Sequence, residues 1–148
     1  MGSRNHFDIV IKLLAAMHGY FDAKDGNPKV VLEVSGTKRH KKTIAALFDT
    51  GHNGSLSLSV VDLIEIGAKL SSVGQVEFAD GISKPQLYFS VKVTIDGTEK
   101  EVDANLIENF ESTEAIAGLE LFSPYVAVIN FKSKQIDFIK EADLKKQL

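Results

Sequence analysis

Past Gly19, apolar residues recur at every second position for most of the chain, the period that buries one face of a strand and leaves the other wet. The segments PKVVLEVSG (28–36) and TIAALFD (43–49) predict strands joined by the basic stretch KRHKK (38–42), and GSLSLSV (54–60) predicts a further short strand. In VVDLIEIGA (60–68) the apolar positions 60, 61, 63, 64 and 66 change to helical spacing, so a short internal helix is expected there. Residues 75–107 return to alternation around two Asp-Gly turn signals, Asp80-Gly81 and Asp96-Gly97. Leu87, Phe89, Val91, Val93 and Ile95 would share one face of that run, and Tyr88, Ser90, Lys92 and Thr94 the other. A compact IAGLELF (116–122) precedes two closing strands, YVAVINF (125–131) and KQIDFIK (134–140).

The N-terminus follows a different period. Phe7, Val10, Leu13, Leu14 and Met17 lie at helical spacing, which predicts an amphipathic helix packed on the domain or on a partner. The stretch FDIVIKLLAAM has eleven residues interrupted by Asp8 and Lys12, too few to span a bilayer. It makes a poor signal-peptide core as well, since no convincing cleavage site follows. The lead MGSRNH has the look of an expression scar, and His6 breaks the myristoylation pattern. The expected organisation is an N-terminal extension (1–18), one mainly β domain with short helices (19–140) and a C-terminal tail (141–148).

Composition narrows the chemistry. At 148 residues, 44% hydrophobic and 25% charged, the chain is long enough for one domain with its own core. A net charge of −3 gives no general pull toward nucleic acid or an anionic membrane, and KRHKK lacks interleaved aromatics, so neither nucleic-acid binding nor stable membrane insertion is expected. The absence of cysteine excludes a disulfide framework, a thiolate zinc site and a cysteine nucleophile, without fixing the compartment. His6, His18, His40 and His52 show no metal spacing, and GHNGS lacks the Lys-Ser/Thr ending of a phosphate loop. No metal and no cofactor is expected.

One stretch breaks the strand pattern in a chemically suggestive way. In ALFDTGHNGSLSL (46–58) a carboxylate, a hydroxyl and a glycine follow three apolar residues, at the point where the strand must end in a tight loop. Asp49 is thereby a candidate reactive group, with Thr50 and Gly51 as its loop, because loops held by a rigid sheet are where reactive side chains are placed. The bland alternative is an Asx turn, in which the Asp49 side chain merely braces the loop. A D-T-G triplet arises by chance in roughly 3 of 100 chains of this length, so the triplet alone favours the bracing turn.

Its surroundings do more. From about Met17 to Ile139 the chain resembles the single-domain, retropepsin-like aspartic proteases, including small microbial members with a triad region like FDTGHNGSLSLS. VEFADGISKPQLYFSVKV looks like the flap hairpin of that family, with Ala79, Asp80, Gly81 and Ile82 at its tip. Ile116-Ala117-Gly118 matches its apolar-apolar-Gly segment, which packs beneath the Asp loop, with Gly118 placed 69 residues after Asp49. Three departures qualify the likeness. Ala117 is smaller than the usual residue there, His52 replaces a small residue, and Asn53 and Leu119 stand where many retroviral enzymes pair an Asp with an Arg. Both members of that pair are missing together, so no charge is stranded, and a separate subfamily fits best.

The resemblance implies a retropepsin-like closed β domain, one lobe per chain, and hydrolysis of a peptide or protein substrate. The chemistry needs two carboxylates sharing one proton, an arrangement for which pepsin and a retroviral protease are standard examples. With one triad per chain, the second carboxylate would come from Asp49 of a second copy in a homodimer, and the family's Thr50 hydroxyl would tie the two triad loops together. Two alternatives stay open: a catalytically silent binding or dimerisation module, and a latent enzyme blocked by its N-terminal helix or by EADLKKQL (141–148). A cytoplasmic location is the working expectation.

Overall fold

The computed structural model describes residues 6–37, 40–109 and 112–147. In chain order the elements are α1 (His6–Leu14), β1 (Ala15–Phe21), β2 (Pro28–Ser35), β3 (Lys41–Phe48), β4 (Leu56–Leu58) and α2 (Val60–Ile66). They continue with β5 (Lys69–Glu77), β6 (Ser83–Ile95), β7 (Thr98–Leu106), β8 (Ala115–Ala117), a 3-10 turn (Leu119–Phe122), β9 (Tyr125–Asn130), β10 (Gln135–Lys140) and α3 (Glu141–Lys145). The mainly β expectation is met.

Closure of the sheet depends on β6, whose thirteen residues serve three partners. Ser83–Ser90 pair with β5, Tyr88–Ile95 pair with β7 on the other edge, and Lys92–Thr94 pair with Ser35–Glu33 of β2. Following neighbours from β6 through β7, β4, β8, β3 and β2 returns to β6, a closed ring of six strands. Beyond the ring, β1, β10 and β9 extend the sheet from β2, and β5 flanks β6 as the outer arm of a hairpin. Two joints are parallel, β3 with β8 and β4 with β7, so chain segments far apart in sequence meet side by side at the ring.

Alternation fills the ring. Val30, Leu32 and Val34 of β2 and Val91, Val93 and Ile95 of β6 turn inward, as the period-2 reading of these strands requires. Beneath β3 the rings of Phe48, Phe122 and Phe138 form a buried trio: Phe122 stacks on Phe138 at 4.8 Å, and Phe48 meets each edge-on at 5.2 Å. Such geometry aligns ring edges with ring faces and adds to the area buried. The helix α2 begins where Ser59 accepts a hydrogen bond from the Asp62 N–H and ends at Gly67 in the left-handed conformation.

Several boundaries differ from the sequence reading. The N-terminal helix stops at Leu14, and Met17 lies in β1, paired with Phe138 of β10, so β1 runs across position 18. The strand expected over 54–60 is confined to Leu56–Leu58, because Ser59 is already the cap of α2. The hairpin arm β5 starts at Lys69, six residues before the alternating run. The two Asp-Gly turns also differ in kind. Asp96 and Gly97 both have positive φ, a two-residue type I′ turn, whereas around Asp80 only Gly81 does, within the five-residue connection 78–82. Of the basic stretch, Lys38 and Arg39 lie outside the described residues, and Lys42 pairs with Asp62 at 2.7 Å and with Glu65, fastening α2 to β3. Residues 141–145 of the tail form α3 against β10. No helix among the described residues is long and apolar enough to cross a membrane.

Candidate active site

Asp49 follows the last residue of β3, where the buried Phe48 gives way to a loop. Its N–H donates to the Ala117 carbonyl at 3.0 Å, continuing the parallel β3–β8 ladder by one step. Its carboxylate oxygen Oδ1 accepts the Gly51 N–H at 2.9 Å, and its carbonyl accepts the His52 N–H at 3.2 Å. The Asx turn foreseen as the bland reading is therefore present. It orients the half-buried carboxylate, while Thr50 and Gly51 stand exposed at the loop tip.

The loop is stitched down on its far side as well. The Gly118 N–H donates to Ser55 O at 2.9 Å, Leu119 N–H to His52 O at 2.9 Å, and Glu120 N–H to Gly54 O at 3.3 Å. Residues 49–55 thus lie directly on Ala117–Glu120, and β4 returns beside β8 with Leu56 opposite Ala117 and Ser57 opposite Ile116. Gly118 has ordinary extended dihedrals, so its glycine identity answers a close approach: a Cβ there would sit 2.1 Å from Gly54 O and 2.5 Å from the His52 ring. Ala117 is fully buried, and its small side chain is what the ring tolerates between Phe48 and Leu56, its partners across the two ladders.

One further contact braces this floor from outside. Lys29, buried at the start of β2, binds Glu114, the residue before β8, and Asp25 at 3.2 Å. The Glu114 carboxylate, joined by Asp25, holds the Lys29 ammonium above its usual range, although burial pulls it the other way.

The structure brings Asp49, Thr50 and Gly51 onto Ile116, Ala117 and Gly118. Ala79, Asp80, Gly81 and Ile82 form a separate cluster at the tip of the β5–β6 hairpin. There Phe78 N–H donates to Ile82 O at 3.0 Å, Gly81 N–H to Phe78 O at 2.9 Å, and Ile82 N–H to the Asp80 carboxylate at 3.0 Å. Every residue from Glu77 to Pro85 is exposed, including the apolar Phe78 and Ile82. A groove of about 610 Å³ runs between the hairpin, β7 and the loop, with His52, Gly54, Tyr88, Asn105 and Glu120 among its walls. Asp49 lies outside it. Among the described residues no group of three or more His, Asp or Glu side chains could hold a metal ion.

Sequence reasoning did not find the partners of His52. Its Nε2 lies 3.2 Å from the Ser57 hydroxyl, which donates to Asn105 Oδ1 at 2.6 Å. Ser57 and Asn105 are 48 residues apart and meet only through the parallel β4–β7 joint, so no spacing in the chain announces them.

No family model and no curated protein matches the chain. Its fold is similar to the solved structure of EIAV protease complexed with the inhibitor HBY-793, at 12% identity and a TM-score of 0.48, over 69% of this chain and 90% of that one.

Proposed function

We propose that the chain is one half of an aspartic endopeptidase, in which two copies face each other across a twofold axis and bring their Asp49 carboxylates together. The observation that carries this reading is the doubly stitched loop. A half-buried carboxylate at a strand end sits in a loop held from one side by Ala117 and from the other through Gly118–Glu120. Exposed Thr50 and Gly51 leave the loop tip open to a second copy. Leu119 and the hairpin-tip residues Phe78 and Ile82 add uncovered apolar surface of the kind an extended peptide or a partner loop would cover.

In this reading Gly51 N–H fixes Oδ1 of each Asp49 and leaves Oδ2 to meet the partner. The ionised carboxylate takes a proton from water as the water oxygen bonds to the peptide carbonyl carbon, and the protonated one donates to the carbonyl oxygen. The tetrahedral diol collapses with cleavage of the C–N bond, and the proton taken from water passes to the departing amine. One diol hydroxyl returns its proton to the carboxylate that had donated, which leaves the carboxylic acid product and restores the singly protonated pair. The substrate lies extended over the floor, with the two β5–β6 hairpins closing from above. Neither a metal nor a cofactor enters the reaction, and a cytoplasmic peptide or protein is the substrate envisaged.

The test is Asp49→Asn, which keeps the shape and cannot exchange the proton. Cleavage of a peptide library should vanish while sedimentation still reports a dimer; cleavage that survives the substitution would end the proposal. A second reading, a dimerisation module without hydrolysis, draws on the Asx bond, which an ordinary bracing turn would also make. A parent that is a confirmed dimer, yet inert from acid to neutral pH with both tails trimmed, would favour it.

A further inference from the structure

Resting on the peptidase reading, we propose that His52 is the positioning residue of the Asp49 turn, tethering it through Ser57 to the barrel wall. Among residues 50–53 only His52 is not exposed, so its ring is the one side-chain anchor between the carboxylate and the stitched segment. That ring occupies a slot between two glycines. A Cβ at Gly118 would come within 2.5 Å of its Cδ2, and a Cβ at Gly54 within 3.2 Å of its Nε2. Gly118 is held to glycine by the backbone as well, with Gly54 O at 2.1 Å and His52 O at 2.6 Å, whereas at Gly54 only the His52 ring lies close to a Cβ.

The polarity of the tether follows from counting protons. Ser57 has one hydroxyl proton and gives it to Asn105 Oδ1, so its oxygen must accept from the imidazole. His52 thus carries its proton on Nε2, and the chain runs Nε2–H to Ser57 Oγ–H to Asn105. Ser57 is almost fully buried and pairs with Ile116 on one side and Asn105 on the other, so the anchor point belongs to two strands of the closed ring. Backbone bonds from Asp49 O and Leu119 N–H fix the ends of the His52 peptide units, and the ring fixes the remaining rotation of the turn. In a homodimer both carboxylates depend on that rotation, and a proton-sharing pair tolerates little misalignment.

The measurement is steady-state kinetics on the dimer for His52→Ala, His52→Gln and Ser57→Ala, with Asp49→Asn as the silent control and histidine 15N NMR on the parent. His52→Ala should lower kcat roughly ten- to a hundredfold with KM and dimerisation little changed, as misplacement of a catalytic group does. His52→Gln, whose amide N–H can reach Ser57, should recover most of that loss, and Ser57→Ala should reproduce it. NMR should report the Nε2–H tautomer. Should His52→Ala not fold, the glutamine and Ser57 variants carry the kinetic test. An active, Asp49-dependent parent in which His52→Ala keeps its kcat, in which glutamine restores nothing, or whose His52 is the Nδ1–H tautomer, would overturn the tether and leave the peptidase reading standing. An inert dimeric parent would overturn that reading, and the positioning role with it.

Discussion

The floor around Asp49 and the hairpin above it come from the same sheet, yet they are held in opposite ways. The floor is bound from both sides by four backbone hydrogen bonds, Asp49 to Ala117, Gly118 to Ser55, Leu119 to His52 and Glu120 to Gly54, and rests on fully buried Ala117. The hairpin tip is exposed from Glu77 to Pro85, and beyond the end of the β5–β6 ladder at Glu77 and Ser83 its loop relies on three bonds among its own residues. Opening free energy follows buried contact and protected hydrogen bonds, so the tip should open far more readily than the floor. In the proposed dimer, a carboxylate that must meet a partner in register would belong on the first kind of structure, and a cover that must admit an extended chain on the second.

The contrast can be broken most sharply at two glycines. Gly118→Ala places a Cβ 2.1 Å from Gly54 O, a backbone atom with nowhere to go, and should cost about 3 kcal/mol of overpacking with loss of any peptidase activity. A denaturation midpoint equal to the parent's would show that the floor can yield. Gly81→Ala meets nothing within 4 Å and is strained only by its φ of 78°. It should cost about 1 kcal/mol, felt as faster amide exchange in the hairpin and little change in the global midpoint. Equal losses at both sites would erase the distinction.

The smallest effect concerns pH. Glu114 and Asp25 raise the Lys29 ammonium above its unfolded value of 10.5, and Asp62 and Glu65 do the same for Lys42. The folded chain then holds these protons more tightly than the unfolded one. Their contribution is complete below pH 10.5 and is lost as pH rises through the higher folded values. Because the carboxylate partners, apart from Asp62, are partly exposed, each lysine should account for less than about 1 kcal/mol. Thermal melts across that alkaline range should fall more steeply for the parent than for Lys29→Met. Parallel curves would remove the Glu114 brace from the account of the floor.

Much of this was legible in the residue order. The period-2 runs of β2 and β6 named their buried faces, since burying one side of a strand leaves that trace whatever the strand pairs with. The helical spacing of 60–66 announces α2, although the strand pattern before it extends over Ser59, its cap, and Asp96-Gly97 specifies its own turn. The Asp-Thr-Gly loop could be located because it interrupts a strand at a residue of distinct chemistry, whereas the apolar-apolar-Gly segment could be located only through the resemblance to retropepsin-like proteases. Tertiary structure decided the rest. Ala15–Met17 continue a helical apolar pattern built from good helix formers, yet β10 pairs with them as strand, a register that local propensity does not encode. Nothing in β5 or β6 signals that β6 divides its edge between β5 and β2, and so closes the ring. The chemistry of His52 likewise rests on a serine and an asparagine that only parallel pairing of distant strands brings within reach. Local pattern determines what each segment buries and how it turns, whereas which distant groups meet is a property of closure, fixed only when the whole core is packed.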